Sequence, residues 1–131
     1  MIKATIKDIQ NIDNLNIVKF DFYDTTLTMM SLELNDSVRV GTKAKLSIKP
    51  THVAVAKNLS GELSYSNQLK AKVTSIENGK LLSSIKLKYF DTIIESIITS
   101  SSSKRMNLHV KDDVIVLIKA SELSISEICD D

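Results

Sequence analysis

The chain repeats itself, and that repeat limits what it can fold into. Adding 67 to the early positions places Ile2 on Leu69, Lys3 on Lys70, Ala4 on Ala71, Ile6 on Val73 and Ile9 on Ile76. The same shift carries Val18, Lys19 and Phe20 onto Ile85, Lys86 and Leu87, and Asp24-Thr25 onto Asp91-Thr92. The offset then becomes 70, which puts Val38 on Leu108, Val40 on Val110, Leu46–Lys49 on Val116–Lys119 and Val53 on Leu123. One insertion of three residues accounts for the change. A period near 67 is too long for a solenoid unit, so the pattern reads as two tandem copies of one small domain.

Each copy is mostly strand. "IKATIKDI" and "LKAKVTSI" alternate apolar and polar residues, as do "NIVKFDF" and "SSIKLKY", and a period of two marks strands with one buried face. "TTLTMM" and "TIIESII" follow polar turns at Asp24 and Asp91; "AKLSIKP" and "DVIVLIKA" supply a fourth strand each, and "HVAVA" and "ELSIS" a fifth. Five short strands per copy predict an all-β chain of two tandem OB-like Greek-key barrels, each with at most one short helix. The helix candidate is Ser100–Met106, with Thr99 or Ser100 as its N-cap and Lys104-Arg105 at the end that suits cations. The expected boundaries are 1–57 for the first repeat, 58–67 for a linker, 68–127 for the second repeat and 128–131 for an acidic tail.

Composition excludes several functions. The formal net charge is +1, so the overall field recruits no polyanion. Aromatic residues are 5% of the chain, too few for the stacking platform of a single-strand nucleic-acid groove. Three scattered glycines cannot build a phosphate loop. His52 and His109 fall in different copies without metal-ligand spacing, and no nucleophile motif is present; the reading is non-enzymatic. No apolar run is long enough to span a bilayer and no signal-like segment opens the chain, which makes a cytoplasmic protein the expectation. Cys129, without a second cysteine, is expected to be incidental.

The second copy concentrates small hydroxyl residues: Ser64, Ser66, Thr99 and the run Ser100–Ser103. Hydroxyls donate hydrogen bonds to anions, and a helix N-terminus adds free backbone N–H groups. Lys119 ends the fourth strand, and Lys49 holds the equivalent place in the first copy. Together they outline a pocket for a small tetrahedral oxyanion. Composition alone favours a solvated loop and surface lysines.

With "SYSNQLKAKV", "IITSSSSKRMNL" and "VIVLIKASEL" placed, the second copy resembles a Mop domain of the molbindin family, related to TOBE domains. Members open with a strand like Ser-Ala-Arg-Asn-Gln-Leu-Lys-Gly, matched here by Ser64–Ala71. They continue through an Ile-Thr turn with a serine three residues on, here Ile98-Thr99 with Ser102, and close with a strand ending Ile-Lys-Ala, here Leu108–Ser121. The match covers roughly 62–127. The first copy, through Val38–Ala56, resembles the closing part of the same repeat, and it lacks the preface Ser64–Asn67.

The resemblance implies a di-Mop protein that binds molybdate or tungstate with no covalent cofactor, as a homo-oligomer with the trimer favoured over the dimer and the oxyanion at subunit interfaces. It implies ligand-binding roles for Ser64, Ser66, Asn67, Thr99, Ser102, Lys119 and Ala120, with Lys49 as the counterpart in the first copy. Storage or homeostasis of the anion is the implied role, and an oligomeric effector or interaction module with degenerate sites is the alternative. Neither nucleic acid nor membrane is an expected partner. One departure stands out: the arginine usual in the opening motif is Ser66 here, which removes a bidentate cationic donor. Lys70, Lys104 and Arg105 are the cations left to compensate.

Overall fold

In the computed structural model, which describes residues 2–129, the first copy forms β1 (Ile2–Ile12), β2 (Leu15–Phe22), β3 (Thr25–Ser31), β4 (Lys43–Ser47) and β5 (Ala54–Ala56). The second forms β6 (Asn67–Asn78), β7 (Leu82–Tyr89), β8 (Thr92–Thr99), the helix α1 (Ser100–Arg105), β9 (Asp113–Ile118) and β10 (Ser124–Cys129). Short 3-10 turns at Pro50–His52 and Ala120–Glu122 precede β5 and β10. The strands make two curled five-stranded sheets, in the orders β10-β4-β1-β2-β3 and β5-β9-β6-β7-β8, which is the strand order of an OB-like Greek-key barrel.

The repeat is legible strand by strand. In β2, alternation buries Asn16, Val18, Phe20 and Phe22; in β7 the same register buries Ser83, Ile85, Leu87 and Tyr89. Phe20 and Leu87, both at 0% exposure, hold equivalent core places, and each such side chain contributes about 1.5–3 kcal/mol by leaving water. A bulge breaks the β1–β2 register between Ile6 and Asp8 and the β6–β7 register between Val73 and Ser75. These bulges let one long strand bend across the barrel and pair on both sides. The β2–β3 and β7–β8 hairpins turn through two residues, with positive φ at Tyr23 (52°) and at its equivalent Phe90 (52°). Each of these rings packs edge-on against the residue before it, at 4.9 Å between centroids.

The fifth strands are where the fold departs from the sequence reading. The compact units are Met1–Ile48 with Lys119–Asp131, and Lys49–Ile118, so each unit completes its sheet with the fifth strand of the other repeat. β5 pairs with β9 (Ala54↔Leu117 to Ala56↔Ile115), and β10 pairs with β4 (Ser124↔Ser47 to Cys129↔Lys43). The spatial units are therefore not the segments 1–57 and 68–127. The physical reason lies in the 3-10 turns, which carry the chain out of β4 and β9 into the other sheet. In the second unit Ser96 Oγ, fully buried on β8, donates to the Val53 carbonyl at 2.6 Å and fixes the entry to β5. Two smaller boundaries also move. Asn67 belongs to β6 and not to a linker, and Ile128 and Cys129 belong to β10 and not to a tail; Asp130 and Asp131 lie outside the described residues.

The three-residue insertion falls at α1. The β8–β9 connection contains this helix, with Thr99, one of the two N-caps expected from sequence, in that role. The β3–β4 connection of the first unit, over residues 32–42, has turns and no helix.

Candidate functional site

Of the residues singled out from sequence, Ser64, Ser66 and Asn67 fall at one end of β6 and Thr99 and Ser102 at the other, while Lys49 and Lys119 stand where the chain passes from one unit to the next. At the first end Asn67 opens β6 opposite Ile118 at the close of β9. Ser64 and Ser66 lead into that strand and are exposed, whereas Asn67 is fully buried. Lys119 follows Ile118 directly. Its backbone is extended (φ −70°, ψ 144°), and its carbonyl accepts the Glu122 N–H at 3.0 Å, which starts the 3-10 turn containing Ala120 and Ser121. Lys49 repeats this arrangement in the first copy, with φ −70°, ψ 132° and its carbonyl accepting the His52 N–H at 2.8 Å. Both lysines are exposed.

At the other end of β6, Asn78 pairs with Ser83, and Thr99 closes β8 opposite Leu82. Thr99 Oγ1 accepts the Ser102 N–H at 3.2 Å and donates to Ser102 Oγ at 2.9 Å. Arg105 Nη2 donates to the same Ser102 Oγ at 3.2 Å. Ser102 Oγ thus accepts two hydrogen bonds, so its own proton is left to point outward as a donor. The helix is only six residues long and brings little macrodipole; the side chains, with the Arg105 guanidinium, make this cluster electropositive.

A buried polar network holds α1 against the β6–β7 turn. Ser100 is 2% exposed; its N–H donates to the Leu81 carbonyl at 2.8 Å, and its Oγ donates to the Gly79 carbonyl at 2.8 Å and lies 3.0 Å from Ser83 Oγ. Ser83 Oγ in turn donates to Asn78 Oδ1 at 2.6 Å. Every member is satisfied, which makes the network rigid and not costly. Gly79 is required: a Cβ there would stand 2.7 Å from the Leu82 carbonyl oxygen. In the first unit the equivalent pair is Asn11 Nδ2 to Asn16 Oδ1 at 2.7 Å, with no helix to anchor. Sequence reasoning missed this network, and it left Arg105 without a position. The Asn78-Gly79 dipeptide, a turn signal, was the available clue.

The far side of the α1–β9 loop is clamped. Lys57 Nζ donates to the Asn107 carbonyl at 2.7 Å and to Asp112 Oδ2 at 3.0 Å, and the same Oδ2 accepts the His109 N–H at 2.8 Å. The His109 amide, and then the Lys57 ammonium, hold the Asp112 carboxyl below its ordinary value. Lys57 follows β5, so the clamp also ties down the exchanged strand. His109 joins the clamp through its backbone N–H and through its ring, whose Nδ1 lies 2.9 Å from the Asn107 carbonyl. Among the described residues no cluster of three or more His, Cys, Asp or Glu could hold a metal ion, and no helix is long and apolar enough to cross a membrane.

Both units are five-stranded sheets of OB type, and the second carries hydroxyl and amide side chains at one end of its long central strand and hydroxyls with the Arg105 guanidinium at the other. Residues 63–125 match the TOBE domain, and the chain belongs to the TOBE-like Mop family of molbindins. Among solved structures it is similar to ModG, a cytoplasmic molybdate-binding protein crystallised with molybdate bound. That likeness has 23% identity and a TM-score of 0.89, and covers 95% of this chain and 92% of that one. It is also similar to a molybdate-binding protein from Sporomusa ovata, at 30% identity and a TM-score of 0.50, over 51% of this chain and 100% of that one. No curated protein sequence matches the chain.

Proposed function

We propose that the protein binds molybdate, or tungstate, as a non-enzymatic cytoplasmic store or buffer for the anion, in sites formed between copies of the chain. The likeness that carries this reading is to the Sporomusa ovata molybdate-binding protein, matched over its whole length at 30% identity.

The placement of the donors supports the interfacial part. β6 has twelve residues, so on the order of 35 Å of extended strand separates the Asn67 end from the Asn78 end. A tetrahedral oxyanion cannot touch both. The preface Ser64–Asn67 and the cluster Thr99–Ser102 each occur once per chain, so a site using both draws them from two chains. One chain would supply Ser64 and Asn67, and its neighbour would supply Thr99, Ser102 and Arg105; the family resemblance adds Lys119 and Ala120 to the ligand set. Arg105 restores the guanidinium charge that the family's opening motif carries and Ser66 does not. A desolvated dianion needs such a cation as well as neutral donors. Leu81 and Leu82, exposed at 82% and 57% beside the Thr99 cluster, give a second copy apolar surface to cover. The trimer is the favoured assembly and the dimer the alternative.

A second reading keeps the architecture and drops the anion: an oligomeric effector or interaction module. The neutral Ser66 and the absence of α1 from the first unit favour it. Calorimetric titration with molybdate, tungstate and sulfate, together with the mass in solution, separates the two. Micromolar molybdate binding at a fixed ratio per oligomer supports the store; a stable oligomer that takes up no anion supports the module.

A further inference from the structure

We propose that the second unit carries a separate site, a cleft over the outer face of β9, β6 and β7, that binds an organic phosphate: a phosphate ester with an apolar body. The cleft holds about 500 Å³, within the range of roughly 300–1,000 Å³ that small-molecule sites occupy. Cross-strand register builds it. Lys72 stands opposite both Lys88 on β7 and Asp113 on β9, and Lys70 stands opposite Ile115; Ala56, Asn58 and Leu59 form a wall.

Its charge is unbalanced. Lys72 pairs with Asp113 at 3.1 Å, while the ammonium groups of Lys70 and Lys88 have no partner among the described residues. Like charges directly opposite on neighbouring strands destabilise a sheet, so the Lys72–Lys88 pair costs the fold something that a bound anion would return. The fold itself does not demand these lysines. The first unit has the equivalent cleft, about 340 Å³, with Thr5 in place of Lys72, Asp21 in place of Lys88 and Lys43 in place of Asp113. There Lys3 and Lys43 stand against Asp21, which pairs with Lys7 at 3.6 Å, and the lining's excess falls from two positive charges to one.

The two free ammonium groups match the charge of a phosphate monoester dianion, for which lysine acts as a point charge. Ala56, Leu59 and Ile115 offer apolar surface that an inorganic anion would leave unused. None of Ser64, Thr99, Ser102 or Lys119 lines this cleft, so the site is independent of the molybdate reading and can stand or fall without it.

The test is an amide-shift NMR titration of the whole chain with naphthyl phosphate, inorganic phosphate and naphthol. The expected result is a set of saturable naphthyl phosphate shifts at Leu59, Lys70, Lys72 and Lys88, with inorganic phosphate and naphthol each weaker by roughly tenfold or more. Lys88→Glu, which turns the like-charged pair into an attractive one and so leaves folding secure, should weaken naphthyl phosphate by roughly tenfold or more. Lys3→Glu, in the first unit's cleft, should change nothing. Absence of shifts in the cleft, equal binding of inorganic phosphate, or binding indifferent to Lys88→Glu each overturns the proposal.

Discussion

Lys111 occupies a backbone position that its own repeat shows to be a glycine position. Its φ is +81°, and its equivalent in the first copy, Gly41, has φ +91°. The surrounding hydrogen bonds are the same in both units. The Gly41 N–H donates to the Ile6 carbonyl at 2.8 Å and the Ile6 N–H to the Thr42 carbonyl at 2.8 Å; the Lys111 N–H donates to the Val73 carbonyl at 2.7 Å and the Val73 N–H to the Asp112 carbonyl at 2.9 Å. Those paired bonds hold the left-handed conformation whatever the side chain. For a residue with a Cβ it costs about 1–2 kcal/mol. Lys111→Gly removes that cost and adds about 0.5–1 kcal/mol through the greater freedom of glycine in the unfolded chain. The net gain is therefore about 0.5–1 kcal/mol, equivalent to about 2–4 °C in Tm. The reciprocal change is cleaner. A Cβ on Gly41 would meet nothing within 4 Å, so Gly41→Ala should lose about 1 kcal/mol through the backbone alone. Urea denaturation of both variants beside the parent measures this. A Lys111→Gly protein no more stable than the parent, together with a neutral Gly41→Ala, would refute the reasoning.

Other consequences follow from the same contacts. Gly79→Ala should cost about 1–3 kcal/mol, because the new Cβ meets a backbone oxygen that cannot swing away, and in a molybdate titration it should weaken binding by displacing Ser100 and the Thr99 cluster. Ser96→Ala leaves the buried Val53 carbonyl without its donor and should cost about 1–3 kcal/mol in urea denaturation. Asp112 has its folded-state pKa lowered from the ordinary 3.8, so its stabilising contribution is present above that value and lost as pH falls through the lower, folded one. Asp112→Asn should accordingly be less stable than the parent at neutral pH, and melting curves taken down through the acid range should converge. A gap that persists or widens in acid would contradict the assignment.

Much of the fold was readable because a period of two says which face of a strand is buried, and the two copies vouch for each other. Val18 and Phe20 predict Ile85 and Leu87, and the hairpins at Asp24 and Asp91 fall where both copies place polar turns. The start of α1 was readable to within one residue, Thr99 or Ser100, since one hydroxyl oxygen and one nearby amide suffice for a cap. The exchange of β5 and β10 was not. Alternation in "HVAVA" fixes which side chains go inward but carries no information about which sheet edge the strand joins, and the deciding groups, such as Ser96 with the Val53 carbonyl, lie 43 residues apart. The site divides the same way. Its hydroxyl residues were legible as a composition, whereas the network through Gly79, Ser83 and Ser100, and the approach of Arg105 to Ser102, depend on chain reversals that no local pattern records.

The central claim is that the oxyanion is held between chains by donors from opposite ends of β6. Its most direct test is complementation of two variants, Ser102→Ala and Ser64→Ala, co-expressed and titrated with molybdate beside each variant alone. Each alone should assemble normally and bind molybdate weakly or not at all. Mixed oligomers should recover a fraction of the parent's sites, because some interfaces then pair an intact Thr99–Ser102 cluster with an intact Ser64 preface. Mixed oligomers that form but recover no binding, while the parent binds, would place both groups in one chain's site and contradict the account.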